Sequence, residues 1–260
     1  ETQPAASAIL LRSQTNGPPQ ILITERSQYM RFASGAYVFP GGRVDPADHA
    51  TAQDPQLARG TAGLSAEDAA ARIAAVRETL EEAGLLLTVG PRPDATQQQN
   101  ARKLLAEGPD SAEACTFAAL LAGLAHHVDA SLLHPFGQWE PALEAKVTRR
   151  FRARFYLVDV SSYDTSHLAA DGHEAVALHW YTAAELLDHH LNALVFPTRC
   201  ILTRIAQYAD IAAIMASAAR YGDALIRPII SLRDGEPWVS VPENEDYPPI
   251  SAPLASFRCT

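Results

Sequence analysis

Three glutamates within one helical turn, set directly ahead of a glycine, constrain this chain more than any other feature. The run is Arg77-Glu78-Thr79-Leu80-Glu81-Glu82-Ala83-Gly84-Leu85. Ser65 stands upstream as an N-cap, with Asp68 three residues later. The alanine-rich stretch between predicts a helix over 66–83 that Gly84 closes at C′. On such a helix positions 78, 81 and 82 fall at i, i+3 and i+4 and share a face. Like charges at that spacing repel by roughly 0.2–0.5 kcal/mol per pair, and the negative end of the helix dipole disfavours them further. Taken alone, an acidic helix face is most often simply solvated. Here Leu80 and Leu85 lay an apolar stripe beside the acids, so the helix packs on a core. A divalent cation would relieve the repulsion, because Mg²⁺ takes carboxylate oxygens.

The surrounding pattern is strands, helix, strands, helices. Ala5–Arg12 and Gln20–Glu25 read as strands joined by a turn at Asn16-Gly17-Pro18-Pro19, and Tyr37–Phe39 as a short strand ending at Pro40-Gly41-Gly42. Residues 43–64 read as a surface excursion and Leu85–Val89 as a strand. Residues 94–124 carry helical patterning broken at Gly108-Pro109. Phe151–Val160 and Ala175–Tyr181 are strand-like, Ala183–Leu191 and Thr198–Arg220 helical, and the Pro-rich tail holds one strand at Pro228–Leu232. This order predicts an α+β fold, a mixed-sheet sandwich and not a regular βαβ alternation. The expected organisation is a core over 1–192, with insertions at 43–64 and 94–124, and a helical extension and tail over 193–260 packing on that core.

Bulk properties exclude several function classes. A net charge of −9 over 260 residues argues against a broad nucleic-acid footprint, which needs a basic face. Local arginines can still hold a small anion. No apolar run reaches the ~18 residues of a membrane span. The three cysteines, Cys115, Cys200 and Cys259, lie far apart without a CxxC, which points to a reducing, cytoplasmic compartment. A two-fold dimer is the expected assembly if the chain oligomerises.

The acidic run resembles the second half of the Nudix box, G-x5-E-x7-R-E-U-x-E-E-x-G-U with U aliphatic. Arg77, Glu78, Glu81, Glu82, Gly84 and Leu85 match, Thr79 replaces an aliphatic residue, and Gly42 matches the opening glycine. The box places its arginine 14 positions after that glycine; Arg77 follows Gly42 by 35, an insertion of 21. Counted back from the helix, the first glutamate of the box falls at Ala69, with Glu67 and Asp68 nearby but shifted. The resemblance, covering residues 5–192, implies a Nudix-type α/β/α sandwich that hydrolyses a phosphoanhydride with Mg²⁺ or Mn²⁺. It implies that Glu78, Glu81 and Glu82 bind metal with a backbone carbonyl near Gly41 or Gly42, and that Arg77 orients them by pairing with a carboxylate. For the general base it leaves two choices, Glu82 through a bound water or Glu174, which precedes the strand ending at Trp180-Tyr181. His173 and His179 read as surface or packing residues.

A second resemblance is more specific. Leu22-Ile23-Thr24-Glu25-Arg26-Ser27, then Arg31, Gly35 and Phe39-Pro40-Gly41-Gly42, resembles L-L-T-x-R-[SA]-x3-R-x3-G-x3-F-P-G-G, the motif of coenzyme A diphosphatases within the Nudix family. The substrate it implies is coenzyme A or an acyl-coenzyme A, cleaved to 3′,5′-ADP and 4′-phosphopantetheine or its acylated form. Arg26 and Arg31 suit phosphate recognition, since a guanidinium offers bidentate donors. Arg150, opening the strand after Thr148-Arg149, is read either as added positive potential for the substrate or as an edge-strand charge. Trp139 is read as packing, with adenine stacking as the alternative. Two other functions stay open at this stage: hydrolysis of ADP-ribose or NADH, and a non-catalytic ligand-sensing module.

Overall fold

The computed structural model describes residues 2–29, 33–91, 94–106, 115–145, 150–241 and 250–257. In chain order the strands are β1 (Thr2–Arg12), β2 (Gln20–Arg26), β3 (Tyr37–Val38), β4 (Gly41–Arg43), β5 (Ala58–Arg59), β6 (Val128–Asp129), β7 (His134–Trp139), β8 (Arg150–Asp159), β9 (Ala175–Thr182), β10 (Leu225–Ile226), β11 (Ile229–Arg233), β12 (Glu236–Ser240) and β13 (Ser251–Pro253). The helices are α1 (Pro46–Gln53), α2 (Ala66–Ala83), α3 (Ala95–Ala106), α4 (Phe117–Leu124), α5 (Ala183–His189), α6 (Phe196–Ile205) and α7 (Ile211–Tyr221).

One mixed sheet runs β10-β7-β8-β1-β2-β3, with β4 added to β1 and β9 to β2. β1 and β8 are parallel along their whole length, whereas β1–β2, β2–β9 and β7–β8 are antiparallel. Successive side chains of a strand point to opposite faces, and both faces here are buried. Ala6, Ala8 and Leu10 of β1 join Leu22, Tyr156 and Val158 in a core beneath α2. Ile9, Leu11, Ile21, Ile23, Phe155 and Leu157 join a second core with α5, α6 and α7. Strands buried on both sides read as continuous apolar runs, which is why β1 and β2 stood out in the sequence. The result is the α/β/α sandwich expected.

Several local expectations need correction. Residues 43–64, read as a surface excursion, contain a helix: α1, capped at Asp45, with Asp48, Thr51 and Ala52 buried. Leu85–Val89 is not a strand. Leu85, Leu86 and Leu87 are buried in the α2-side core, and only Val89 makes an isolated bridge, to His127. Helical patterning over 198–220 is split, because the Asp210 side chain accepts from Ala213 N and starts α7 afresh. The tail forms a three-stranded antiparallel sheet, β11-β12-β13, where one strand was expected. The Gly108-Pro109 break lies outside the described residues.

α2 matches its predicted limits. Ser65 accepts from Asp68 N, and Gly84 adopts the left-handed conformation (φ 79°) with its N–H bonded to Leu80 O. Thr79 occupies its aliphatic position at no polar cost, since it is fully buried and its hydroxyl donates to Ala75 O at 2.7 Å. No described helix is long and apolar enough to cross a membrane.

Candidate active site

The acids at the end of α2 face the β4 corner. β4 pairs antiparallel with β1, Ser7 opposite Gly41 and Ala6 opposite Gly42, which pins the Pro40-Gly41-Gly42 turn at the mouth of the sheet. The two glycines permit a close approach. A β-carbon at Gly41 would collide with the Ser7 hydroxyl and the Ala6 carbonyl, and one at Gly42 with the Glu78 carboxylate. Gly41 N–H donates to Glu82 Oε2 at 3.2 Å.

Arg77 is the hub of the acidic cluster. Its Nε and Nη2 donate to the two oxygens of Asp48, each at 3.0 Å, while Nη1 reaches Glu78 Oε1 at 2.9 Å and Glu81 Oε2 at 3.1 Å. Nη2 also donates to Arg43 O. Burial works against the guanidinium charge, but Asp48, Glu78 and Glu81 outweigh it and raise its pKa. Asp48 therefore fills the place of the outer carboxylate that counting back from the helix put at Ala69. Counted forward from Gly42, the glutamate of G-x5-E falls at 48, so the insertion follows this acid instead of displacing it. Glu67 and Asp68 do not serve here. Asp68 instead joins Arg72, Arg154 and Tyr156 in a separate buried network.

The other acids are held in a costly state. Glu82 is 4% exposed. Burial first, and then the neighbouring Glu78, push its carboxyl up to about 8, against the opposing pull of Arg26 and the Gly41 N–H. Burial likewise pushes Glu78 up to about 7, even though Arg77 pulls it down. Glu81 is raised as well, chiefly by burial. Among the described residues no three His, Cys, Asp or Glu side chains converge as a ready-made cage. Arg77 draws Glu78 and Glu81 to its own side while Glu82 turns to Gly41. The donor set is nonetheless all hard oxygen. Two poorly solvated carboxylates left without full neutralisation are a fit for a divalent cation.

A cleft of about 580 Å³ opens over these acids. Glu78, Glu81 and Glu82 line one wall; the loop before β9 supplies His167, Asp171 and Glu174 opposite. The Glu174 backbone is fixed twice. Ser27 N donates to Glu174 O at 2.8 Å, and the Asp171 carboxylate accepts from the N–H groups of His173, Glu174 and Ala175. Glu174 thus lines the same cleft as the α2 acids. Its charge helps to raise the carboxyls of both Glu78 and Glu82.

The remaining residues divide. Arg26 lies near enough to favour the charged form of Glu82, and its Nε is buried without a hydrogen-bond partner among the described residues. Arg31 lies outside the described residues. Arg150 does not line the cleft. Its guanidinium is spent on the carbonyls of Pro141, Ala142 and Ala145, where it staples a loop. Trp139 is 2% exposed and packs edge-on against Phe196, so it is a core residue. His179 stacks between Tyr37 and Tyr181 on the α5 face. Sequence reasoning missed Asp48 and also Arg102 of α3, which lines the cleft. Asp48 was legible by the forward count; Arg102 carries no sequence signal that separates it from a surface arginine.

An acidic helix end, a glycine corner and a facing glutamate on a mixed α/β/α sandwich define a Nudix-type hydrolase. The family described as the NUDT19 Nudix domain matches residues 50–198. This chain belongs to the Nudix family, and it is a Nudix hydrolase of the pyrophosphate-cleaving kind. It is 27% identical over 261 residues to the human acyl-coenzyme A diphosphatase NUDT19, covering 80% of this chain and 69% of that protein. The crystal structure of a Nudix hydrolase from Alicyclobacillus acidocaldarius shares the fold with a TM-score of 0.66 at 24% identity, over 83% of this chain and 96% of that one.

Proposed function

We propose that this protein hydrolyses the diphosphate linkage of coenzyme A or an acyl-coenzyme A, releasing 3′,5′-ADP and (acyl-)4′-phosphopantetheine. The observation that carries the reading is the pairing of half-buried Glu78 and buried Glu82, at the Gly41-Gly42 corner, with Glu174 across one cleft. Glu78, Glu81, Glu82 and the carbonyl edge of Gly42 would hold Mg²⁺ or Mn²⁺. Bound there, such an ion supplies neutralisation of phosphoryl charge and a lowered pKa for water.

The chain's own groups do the rest. Arg77, fixed by Asp48, holds Glu78 and Glu81 on the cleft side of α2. Gly41 N–H keeps one Glu82 oxygen in place. Arg26 lends positive charge to the diphosphate, and Arg31 follows it in the same motif. Glu174 takes the proton as water attacks phosphorus, the bridging P–O bond breaks, and the second phosphate leaves with the bonding pair. Glu174 is preferred over Glu82 as base because it is exposed on the open wall, whereas Glu82 is buried and hydrogen-bonded to the glycine corner.

Coenzyme A is preferred over ADP-ribose or NADH because the 22–42 motif resembles that branch and because the human relative is an acyl-coenzyme A diphosphatase by name. The test is product identification by mass after incubation with coenzyme A and Mg²⁺, run beside ADP-ribose and NADH. Release of 3′,5′-ADP with a higher kcat/KM for coenzyme A is expected. Equal or better turnover of ADP-ribose would refute the substrate assignment.

A further inference from the structure

We propose that Arg102 is a positioning residue that sets the distance between the acidic helix and the Glu174 loop. The inference rests on the assignment of Glu174 as the base. One guanidinium spans both catalytic elements. Its Nε donates to Glu81 O at 2.8 Å, Nη2 to Glu82 O at 2.7 Å, and Nη1 to Ala169 O at 2.7 Å. The first two carbonyls belong to the last turn of α2; the third belongs to the loop that carries Asp171 and Glu174.

The end of α2 needs such a partner. Its final carbonyls lack intrahelical donors, its dipole end is negative, and its last turn contains no basic residue of its own. α3 supplies the missing charge. One turn before Arg102, Gln98 is buried and accepts from Leu86 N at 3.2 Å, so the same face of α3 docks twice onto the chain leaving α2. The guanidinium meets the three carbonyls from three separate nitrogens held in one plane, whereas an ammonium offers its three N–H groups from a single nitrogen on a flexible stem. The inserted helix thereby fixes the geometry of chemistry to which it contributes no acid.

The test is a double-mutant cycle in the full chain with Mg²⁺ and coenzyme A. Arg102→Ala, Arg102→Lys, Glu174→Gln and the Arg102→Ala/Glu174→Gln pair are compared for kcat and KM. Arg102→Ala is expected to lower kcat roughly 10- to 100-fold, the scale of an ångström-level misplacement, with KM changed less than about threefold. Arg102→Lys should fall between, and it carries the measurement should the alanine variant not fold. In the Glu174→Gln background the arginine change should cost less than about threefold. Amide exchange over 167–174 should quicken in both arginine variants. An equal loss of kcat in the two backgrounds, or unchanged exchange in that loop, overturns the proposal. A Glu174→Gln enzyme with wild-type kcat instead removes the base assignment itself.

Discussion

Glu82→Gln separates what the acidic cluster costs from what it does. The wild-type carboxyl is raised from 4.5 to about 8, mainly by burial. A raised carboxyl binds its proton more tightly in the folded chain, so its contribution to stability falls as pH climbs from about 4.5 through about 8. At pH 9 the charged form carries a penalty with a ceiling of about 5 kcal/mol. Local relaxation and water in the cleft relieve part of it, leaving about 1–3 kcal/mol. Glutamine keeps the size and the acceptor for Gly41 N–H but carries no charge. In EDTA at pH 9 the variant should therefore melt roughly 2–12 °C above wild type, given about 2–4 °C per kcal/mol for a chain near this size. At pH 4.5, where both side chains are neutral, the gain should vanish. Adding Mg²⁺ should raise the melting temperature of wild type, by about 1.6 kcal/mol of ligand linkage near 15 times Kd, and raise the variant's far less. Turnover of coenzyme A should drop at least ~100-fold. Thermal melts across pH with and without chelator are the assay. A variant that is destabilised at pH 9, or stabilised equally at pH 4.5, would refute the idea that buried charge at Glu82 is the source of the cost.

Three further outcomes follow from the geometry. Asp48→Asn keeps the shape but weakens the hold on Arg77 Nε and Nη2; kcat/KM should fall on the order of 10-fold, with about 1–3 kcal/mol lost in urea unfolding. Gly42→Ala should push the Glu78 carboxylate off the corner and weaken Mg²⁺ activation at least several-fold, seen as a raised metal concentration for half-maximal rate. Arg150→Ala should leave KM for coenzyme A within about twofold and cost about 1–2 kcal/mol of stability, because that guanidinium serves loop carbonyls; a large rise in KM would restore it to the substrate.

How legible each part was follows from how local its cause is. α2 was readable end to end because its N-cap, its C′ glycine and its acidic face are all encoded within 65–84. β1, β2 and the second half of β8 were readable because both faces of the sheet are buried there, whereas β9, largely half-buried, was readable from its run of β-branched, aliphatic and aromatic residues. Leu85–Val89 misled because a buried extended segment has the composition of a strand; only the absence of neighbours along its length distinguishes it. Arg150 and Arg26 look alike in sequence, yet one is consumed by carbonyls and the other faces Glu82. Which partner an arginine meets is decided by loops far away in the chain. Asp48 shows a different failure. The motif was in register from its glycine and out of register from its helix, and counting from the helix alone hid the acid.

That split register is also an argument about what an inserted segment must preserve. In the uninterrupted box the outer acid and the arginine stand eight positions apart; here Asp48 and Arg77 are 29 apart and still form a bidentate pair. The entropic cost of closing a loop grows only as (3/2)RT ln n, so lengthening the connection this much costs about 1 kcal/mol. The structure meets that cost by making the insert part of the fold. α1 buries Asp48, Thr51 and Ala52, and β5 pairs with β6 so that Val128 and Ala58 enter the α2-side core. Chain length between the two partners is therefore cheap, whereas the relation of each to the sheet is not: Gly41-Gly42 must stay on β1, and α2 must stay on the β1–β8 face. Lengthening the 54–64 stretch by a few glycines should then lower stability by well under about 1 kcal/mol and leave kcat near wild type. A loss of activity comparable to that of Asp48→Asn would show that the insert, and not the pair it joins, sets the geometry of the acids.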